Sequence, residues 1–112
     1  MAEEASLSPF TLVRALDTHI TSLVMKFDVD ALPVSERELL RLLKRLTVDM
    51  RLDIRDYGMA ESKAEQDRLA AETQQRLVQF EQAVVKAGEF NLFGAVDVAH
   101  LSAQTQQLMA VV

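Results

Sequence analysis

The stretch SERELLRLLKRLTVDMRLDIRDY, residues 35–57, has apolar and basic side chains that recur with the period of an α-helix. At about 100° per residue, one arc of this helix collects the apolar residues Leu39, Leu42, Leu43, Leu46, Met50, Ile54 and Tyr57. The opposite arc, roughly 120° wide, collects the basic residues Arg37, Arg41, Lys44, Arg45, Arg51 and Arg55. The pattern predicts an amphipathic helix that buries its apolar face and leaves its basic face outside.

The polar stretch ESKAEQDR, residues 61–68, interrupts the apolar pattern that follows from this helix. The apolar stripe resumes at Leu69, about 120° out of phase with the earlier one, so a straight helix would aim its two ends at different neighbours. We therefore expect a bend or break near Gly58. A separate helix is predicted over residues 61–87, with Gly88 as its stop.

Capping signals predict where two helices begin. Ser35 and Glu38 have the spacing of a capping box, in which each side chain satisfies a free backbone donor, so the basic helix is expected over residues 36–57. The Ser-Pro pair at residues 8–9 is typical of an N-cap and a first helical position. Apolar residues recur at helical spacing after it, which predicts a helix over residues 9–27.

The last segment is poor in charge. A fourth helix is predicted from Asn91 or Gly94 to about Ala110, and a strand over residues 92–98 is the alternative. Asp97 is the only formally charged residue of this segment, so we expect the helix to be buried against the bundle or covered by a second subunit.

Together these segments predict an all-α fold, a small antiparallel four-helix bundle that forms a single domain over residues 1–112, with residues 1–7 disordered. The composition agrees, because 3 Gly and 2 Pro are too few to form the many turns of a β-sandwich or barrel. The predicted core consists of Leu16, Ile20, Leu23, Phe27, Leu39, Leu43, Leu46, Met50, Ile54, Leu77, Phe80, Val84, Phe93 and Val96.

Composition and charge exclude several classes of function. The chain has no cysteine, which excludes disulfides, thiolate metal sites and cysteine nucleophiles. A formal net charge of −5 disfavours a general nucleic-acid or anionic-membrane binder, because such binding scales with the phosphates that a protein neutralises. The N-terminus is acidic and no apolar run reaches the length of a membrane span, so we expect a cytoplasmic protein without a membrane partner.

No motif for catalysis or cofactor binding is found. The two histidines, His19 and His100, are interpreted as semi-buried structural residues. Asp49, Asp53 and Asp56 share one side of the basic helix, and we interpret them as a boundary between core and solvent rather than as an acid–base pair. The sequence therefore predicts no catalytic residue, no metal site and no cofactor.

Residues 86–108 resemble the tail of a histidine phosphotransfer domain, in which a Lys-Gly pair precedes a Gly-Ala pair and a leucine-containing helix. The chain departs from the family at the residue that defines its chemistry. The phosphorylated histidine lies three residues before the family's lysine, and Ala83 occupies that position here. Because alanine cannot accept a phosphoryl group, the resemblance implies no phosphotransfer.

The basic face of residues 36–57 is the candidate site. Val48 and Leu52 lie inside the basic arc, where they would act as apolar anchors among arginines that suit carboxylates. The predicted partner-binding residues are Arg37, Arg41, Lys44, Val48, Arg51, Leu52 and Arg55. They predict a non-enzymatic adaptor or chaperone-like protein that binds an acidic protein partner or self-associates through this helix, through the apolar C-terminal segment, or through both.

Two alternatives to this hypothesis stay open. The basic arc is also compatible with a solvated surface whose cations pair with neighbouring carboxylates. The chain could also be a small ligand-binding or enzymatic bundle with an inter-helix pocket near Tyr57 and His100.

Overall fold

The computed structural model describes residues 8–112, and within them the chain folds into four α-helices without a strand. These are α1 (Pro9–Val24), α2 (Val34–Met59), α3 (Lys63–Glu89) and α4 (Ala95–Val111), with a short 3-10 helix, η1 (Val29–Ala31), between α1 and α2. The predicted all-α four-helix fold is confirmed, and the strand alternative for residues 92–98 is wrong. The predicted disorder of residues 1–7 lies outside the described residues.

Each helix packs against its sequence neighbours, and α1 also packs against α4, which closes the bundle. Pairs across the helix contacts give the direction of the chain. On α2 and α3, Asp53 pairs with Arg76, whereas Leu39, fourteen positions earlier, shares a cavity with Lys86. The earlier residue of α2 therefore lies near the later residue of α3, so these two helices are antiparallel. No helix in the described part of the chain combines the length and the apolar character needed to cross a membrane.

The start of α1 follows the prediction and the start of α2 does not. Ser8 caps α1, because its Oγ accepts a hydrogen bond from the backbone N of Thr11 at 3.1 Å. In α2, Val34 is already helical and Pro33 occupies the cap position, where its carbonyl accepts from the backbone N of Arg37 at 2.9 Å. The predicted capping box at Ser35 is therefore wrong, since this serine lies inside the first turn rather than before it.

The predicted break near Gly58 is confirmed, although the glycine itself does not make it. Helix α2 continues through Gly58 to Met59, and α3 begins after Ser62, whose Oγ accepts from the backbone N of Glu65 at 3.1 Å. A side-chain cap therefore restarts the helix on a new course, as the phase shift of the apolar stripe requires.

Gly88 is not the stop of α3, so that prediction is wrong. The helix runs to Glu89, and Asn91 adopts the left-handed conformation with φ 59°. The backbone N of Leu92 donates to the carbonyl of Ala87 at 2.9 Å, and that of Asn91 donates to Gly88 at 3.0 Å. These two bonds make a Schellman motif, in which asparagine takes the place that glycine usually holds.

Gly88 has a packing role instead. A Cβ atom built on it would lie 3.0 Å from Cγ2 of Val98 on α4, which is closer than ordinary van der Waals contact. Because Gly88 has no side chain, α3 and α4 can approach each other closely beside the connection that joins them.

Twelve of the fourteen predicted core residues are buried. Phe27 is partly buried against the cluster, and Val96 is 83% exposed, so its assignment to the core is wrong. The reason is that α4 begins only at Ala95 and buries the face that carries Leu101 and Leu108. Val96 lies about 140° around the helix from Leu101.

Candidate functional site

Asp17 of α1 binds two of the predicted partner-binding residues, Lys44 and Arg51, at the contact between α1 and α2. Its Oδ1 accepts from Lys44 Nζ at 2.9 Å and from Thr47 Oγ1 at 2.9 Å, and its Oδ2 accepts from Arg51 Nη1 at 3.0 Å. Lys44 Nζ also donates to Thr21 Oγ1 at 2.6 Å. Asp17 is only 8% exposed and links α1 to α2, whereas the side chains of Lys44 and Arg51 are 40% and 45% exposed.

Burial of the Asp17 carboxyl would raise its pKa, but the surrounding donors reverse the direction. Hydrogen bonds from Lys44 and Thr47 and the charges of Lys44 and Arg51 together hold the pKa of Asp17 below its ordinary value. The carboxylate therefore stays ionised and keeps both cations. The sequence signal that we missed is a single charged residue within the apolar face of α1, beside Leu16 and Ile20.

The other predicted cations lie outside. Arg41 pairs with Asp30 at 3.2 Å, and the two side chains are 61% and 86% exposed. Arg55 pairs with its neighbour Asp56 at 3.3 Å, also in solvent. Arg37 is half-buried, and no carboxylate of the described residues lies within 4.0 Å of its guanidinium. Exposed pairs of this kind contribute little to stability, so these arginines are available to a partner.

The predicted apolar anchors are exposed and form one surface with a residue of α1. Val48 is 40% exposed and Leu52 is 44% exposed. They line a shallow cavity of about 220 Å³ together with Phe10, Arg51 and Arg55. We call this surface the α1–α2 patch.

Phe10 was not predicted as a site residue, because it lies off the apolar stripe of α1. It is 39% exposed, and the Arg14 guanidinium lies 5.9 Å from the centre of its ring. The patch therefore has a three-residue apolar centre with arginines on its edge, and only the docking of α1 on α2 brings Phe10 to it.

The aspartates of α2 belong to its contact with α3. Asp53 forms an ion pair with Arg76, which also lies 4.0 Å from Glu72. Burial raises the pKa of Asp53, and the charges of Glu72, Asp49 and Asp56 act in the same direction against the opposing charge of Arg76. This geometry fits a structural role at the boundary between core and solvent, because the guanidinium of Arg76 on the neighbouring helix pairs with the Asp53 carboxylate.

The two histidines meet at the contact between α1 and α4. His19 Nδ1 lies 3.0 Å from Gln104 Oε1, His19 Nε2 lies 3.4 Å from Asp97 Oδ1, and the ring of His100 is 4.8 Å from that of His19. Asp97 and His100 lie three residues apart on one face of α4. This spacing indicates from the sequence alone that these two members of the cluster are neighbours. Across residues 8–112, no three histidines or carboxylates are placed to hold a metal ion.

Tyr57 lies near the end of α2, and neither Tyr57 nor His100 lines the α1–α2 patch. A pocket near these two residues stays a prediction.

The sequence matches no known family model, and no curated protein or solved structure is significantly similar to the chain.

Proposed function

We propose that this chain is a non-enzymatic interaction protein that binds an acidic protein partner through the exposed face of α2. The binding face comprises the α1–α2 patch and the outer arginines Arg37, Arg41 and Arg55. Lys44 and Arg51 are mainly structural, because Asp17 holds both of them.

The α1–α2 patch is the observation that carries this proposal. Phe10, Val48 and Leu52 are all exposed, and they line one cavity together with Arg51 and Arg55. Burying such a group at an interface is favourable, and arginines around it can pair with carboxylates as the surface is desolvated. A second copy of this chain is the other occupant, because its own surface is acidic overall at a formal net charge of −5.

The test compares wild-type protein with a variant that removes the patch and keeps the fold. Val48→Ser combined with Leu52→Ser changes two exposed side chains, whereas charge reversal at Arg51 would also break its bond to Asp17. The matched control is Val78→Ser combined with Val85→Ser on α3, whose valines are 46% and 49% exposed.

Each protein is used for capture from a lysate of its source cells at low and at high salt, and each is measured by sedimentation equilibrium. We expect one bound partner, or self-association, that the control retains, the patch variant loses and high salt weakens. The proposal is contradicted if the patch variant binds as the wild type does. It is also contradicted if the wild type neither captures a partner nor associates.

A further inference from the structure

A second groove lies between α2 and α3, and we call it the α2–α3 groove. Its cavity of about 570 Å³ has apolar lining from Leu39, Leu42 and Phe90. Arg41 and Arg45 line it from α2, and Lys86 lines it from α3. Leu39 is buried, whereas Leu42 is half-buried and Phe90 is 37% exposed, so a ligand can reach the apolar lining at Leu42 and Phe90.

The groove continues along both helices. An adjoining cavity of about 480 Å³ shares Leu42, Arg45 and Lys86 with the first and extends past Gln79 and Gln82 of α3. From Ser35 to Arg45, the α2 side of the groove is about 15 Å long at 1.5 Å per residue. This length accommodates about three turns of a helix laid along the groove.

The charges on the rim favour an acidic occupant. Three of its side chains are cationic, Gln79 and Gln82 are neutral, and Glu38 is the one carboxylate among the residues that line the two cavities. Within residues 8–112, no carboxylate lies within 4.0 Å of the charged groups of Arg45 or Lys86. Among the described residues, both cations therefore lack a direct ion pair, and a carboxylate of a partner could pair with them.

We propose that the α2–α3 groove binds an amphipathic helix of a partner protein. Apolar residues of that helix, spaced by three or four positions, would cover Leu39, Leu42 and Phe90. Acidic residues along its edges would pair with Arg41, Arg45 and Lys86. This proposal rests on the proposed function as an interaction protein, but it assigns a different surface, which shares only Arg41 with the first, and a defined class of ligand.

A helix fits this groove better than an extended peptide or a nucleic acid. Extended peptides gain much of their affinity from a free strand edge, and residues 8–112 contain no strand. Nucleic acids need many phosphate contacts, which three cations do not supply. A helix needs only an apolar floor and charged edges, and both are present.

The test uses a displayed library of random peptides about 15 residues long, which matches the length of the groove with some excess. Peptides are selected on the wild-type protein and counter-selected on a variant that combines Arg45→Glu with Lys86→Glu. The matched control combines Lys26→Glu with Lys63→Glu, which makes the same change of charge at two exposed lysines outside the groove.

We expect the enriched peptides to carry apolar residues at helical spacing with Asp or Glu beside them. They should bind the wild type and the control alike, and bind the groove variant at least about tenfold more weakly. Amide chemical-shift changes should centre on Leu39, Leu42 and Phe90.

The proposal is overturned if no binder depends on Arg45 and Lys86, or if the binders are basic or lack helical spacing. It is equally overturned if the shift changes centre on the α1–α2 patch. The variant with Val48→Ser and Leu52→Ser is tested with the same peptides and should bind them normally. This comparison distinguishes a failure of the proposal for the α2–α3 groove from a failure of the proposal for the α1–α2 patch.

Discussion

Asp17 is the residue on which the contact between α1 and α2 depends most. It is a charged side chain in an apolar helix face, and Lys44, Thr47 and Arg51 satisfy it from one side of α2. Removing one partner from such a cluster leaves the others without their hydrogen bonds in a partly dry environment. The cluster therefore contributes to the orientation of the two helices as well as to stability.

Replacing Asp17 with asparagine should lower the free energy of unfolding by about 2 kcal/mol, because two cations lose their counter-charge. Urea denaturation at neutral pH measures this loss. Asp30→Asn is the matched control, since Asp30 pairs with Arg41 in open solvent and its loss should change stability by less than about 0.5 kcal/mol. Equal effects of the two substitutions would contradict the structural role assigned to Asp17.

Asp17 and Asp53 should give opposite pH dependences. The folded pKa of Asp17 lies below the ordinary value of 3.8, so its contribution is present above that pH and is lost as the pH falls further. The folded pKa of Asp53 lies above 3.8, so its favourable term is present at acid pH and is lost as the pH rises through that folded pKa.

The comparison is made by urea denaturation of wild-type protein, Asp17→Asn and Asp53→Asn between about pH 3 and pH 7. As the pH falls, the advantage of the wild type over Asp17→Asn should shrink. Its stability relative to Asp53→Asn should improve over the same change. Parallel profiles for the two variants would show that the pKa directions are wrong.

Among the helices, the connection from α3 to α4 depends most on individual small residues. Asn91 supplies the left-handed conformation that follows α3, and Gly88, the penultimate residue of that helix, leaves room for Val98. Gly58, in contrast, faces open space inside α2. From the sequence, both glycines are expected to mark the end of a helix, but in the structure they have different roles.

Substituting the two glycines with alanine should separate these roles. Gly58→Ala should stabilise the protein by about 0.5–1 kcal/mol, because alanine has the higher helix propensity and its Cβ meets no atom within 4 Å. Gly88→Ala should be less stable than Gly58→Ala by about 1–2 kcal/mol, since its Cβ would press against Val98.

Thermal or urea denaturation of both variants gives the comparison. A double-mutant cycle with Val98→Ala tests the cause, because a smaller residue at position 98 should recover about 1 kcal/mol of the loss at Gly88. If the two glycine variants are equally stabilised, the close approach of α3 and α4 has no energetic consequence.

At the scale of the whole molecule, the contact between α1 and α4 closes the bundle. His19 provides the polar part of this contact through Gln104 and Asp97, and His100 covers its ring. The side chain of His19 is 16% exposed, so the contact shields its hydrogen bonds from water.

His19→Ala should destabilise the closed bundle by about 1–2 kcal/mol, through lost hydrogen bonds and packing. Native-state hydrogen exchange should show faster opening of α1 and α4 amides than of α2 and α3 amides. His100→Ala, which removes an exposed ring, should have the smaller effect. Uniform acceleration across all four helices would mean that α1 and α4 do not open as a separate unit.

Local signals predicted some helix ends correctly and others wrongly. The cap at Ser8 and the interruption near Gly58 are confirmed, whereas the capping box at Ser35 and the stop at Gly88 are wrong. The candidate site was predicted less completely. Val48 and Leu52 are exposed as the basic arc suggested, but the contribution of Phe10 required knowledge of how α1 lies on α2.

The amino-acid sequence alone establishes the helical class, the number of helices and the arcs that face the core, because hydrophobic period and capping act over a few residues. Tertiary packing establishes which basic residues are free. Lys44 and Arg51 are bound by an aspartate 27 and 34 positions away, whereas Arg45 and Lys86 are left facing a groove. These outcomes depend on how each helix is rotated and placed against its neighbours, and the period of a single helix carries no information about that placement.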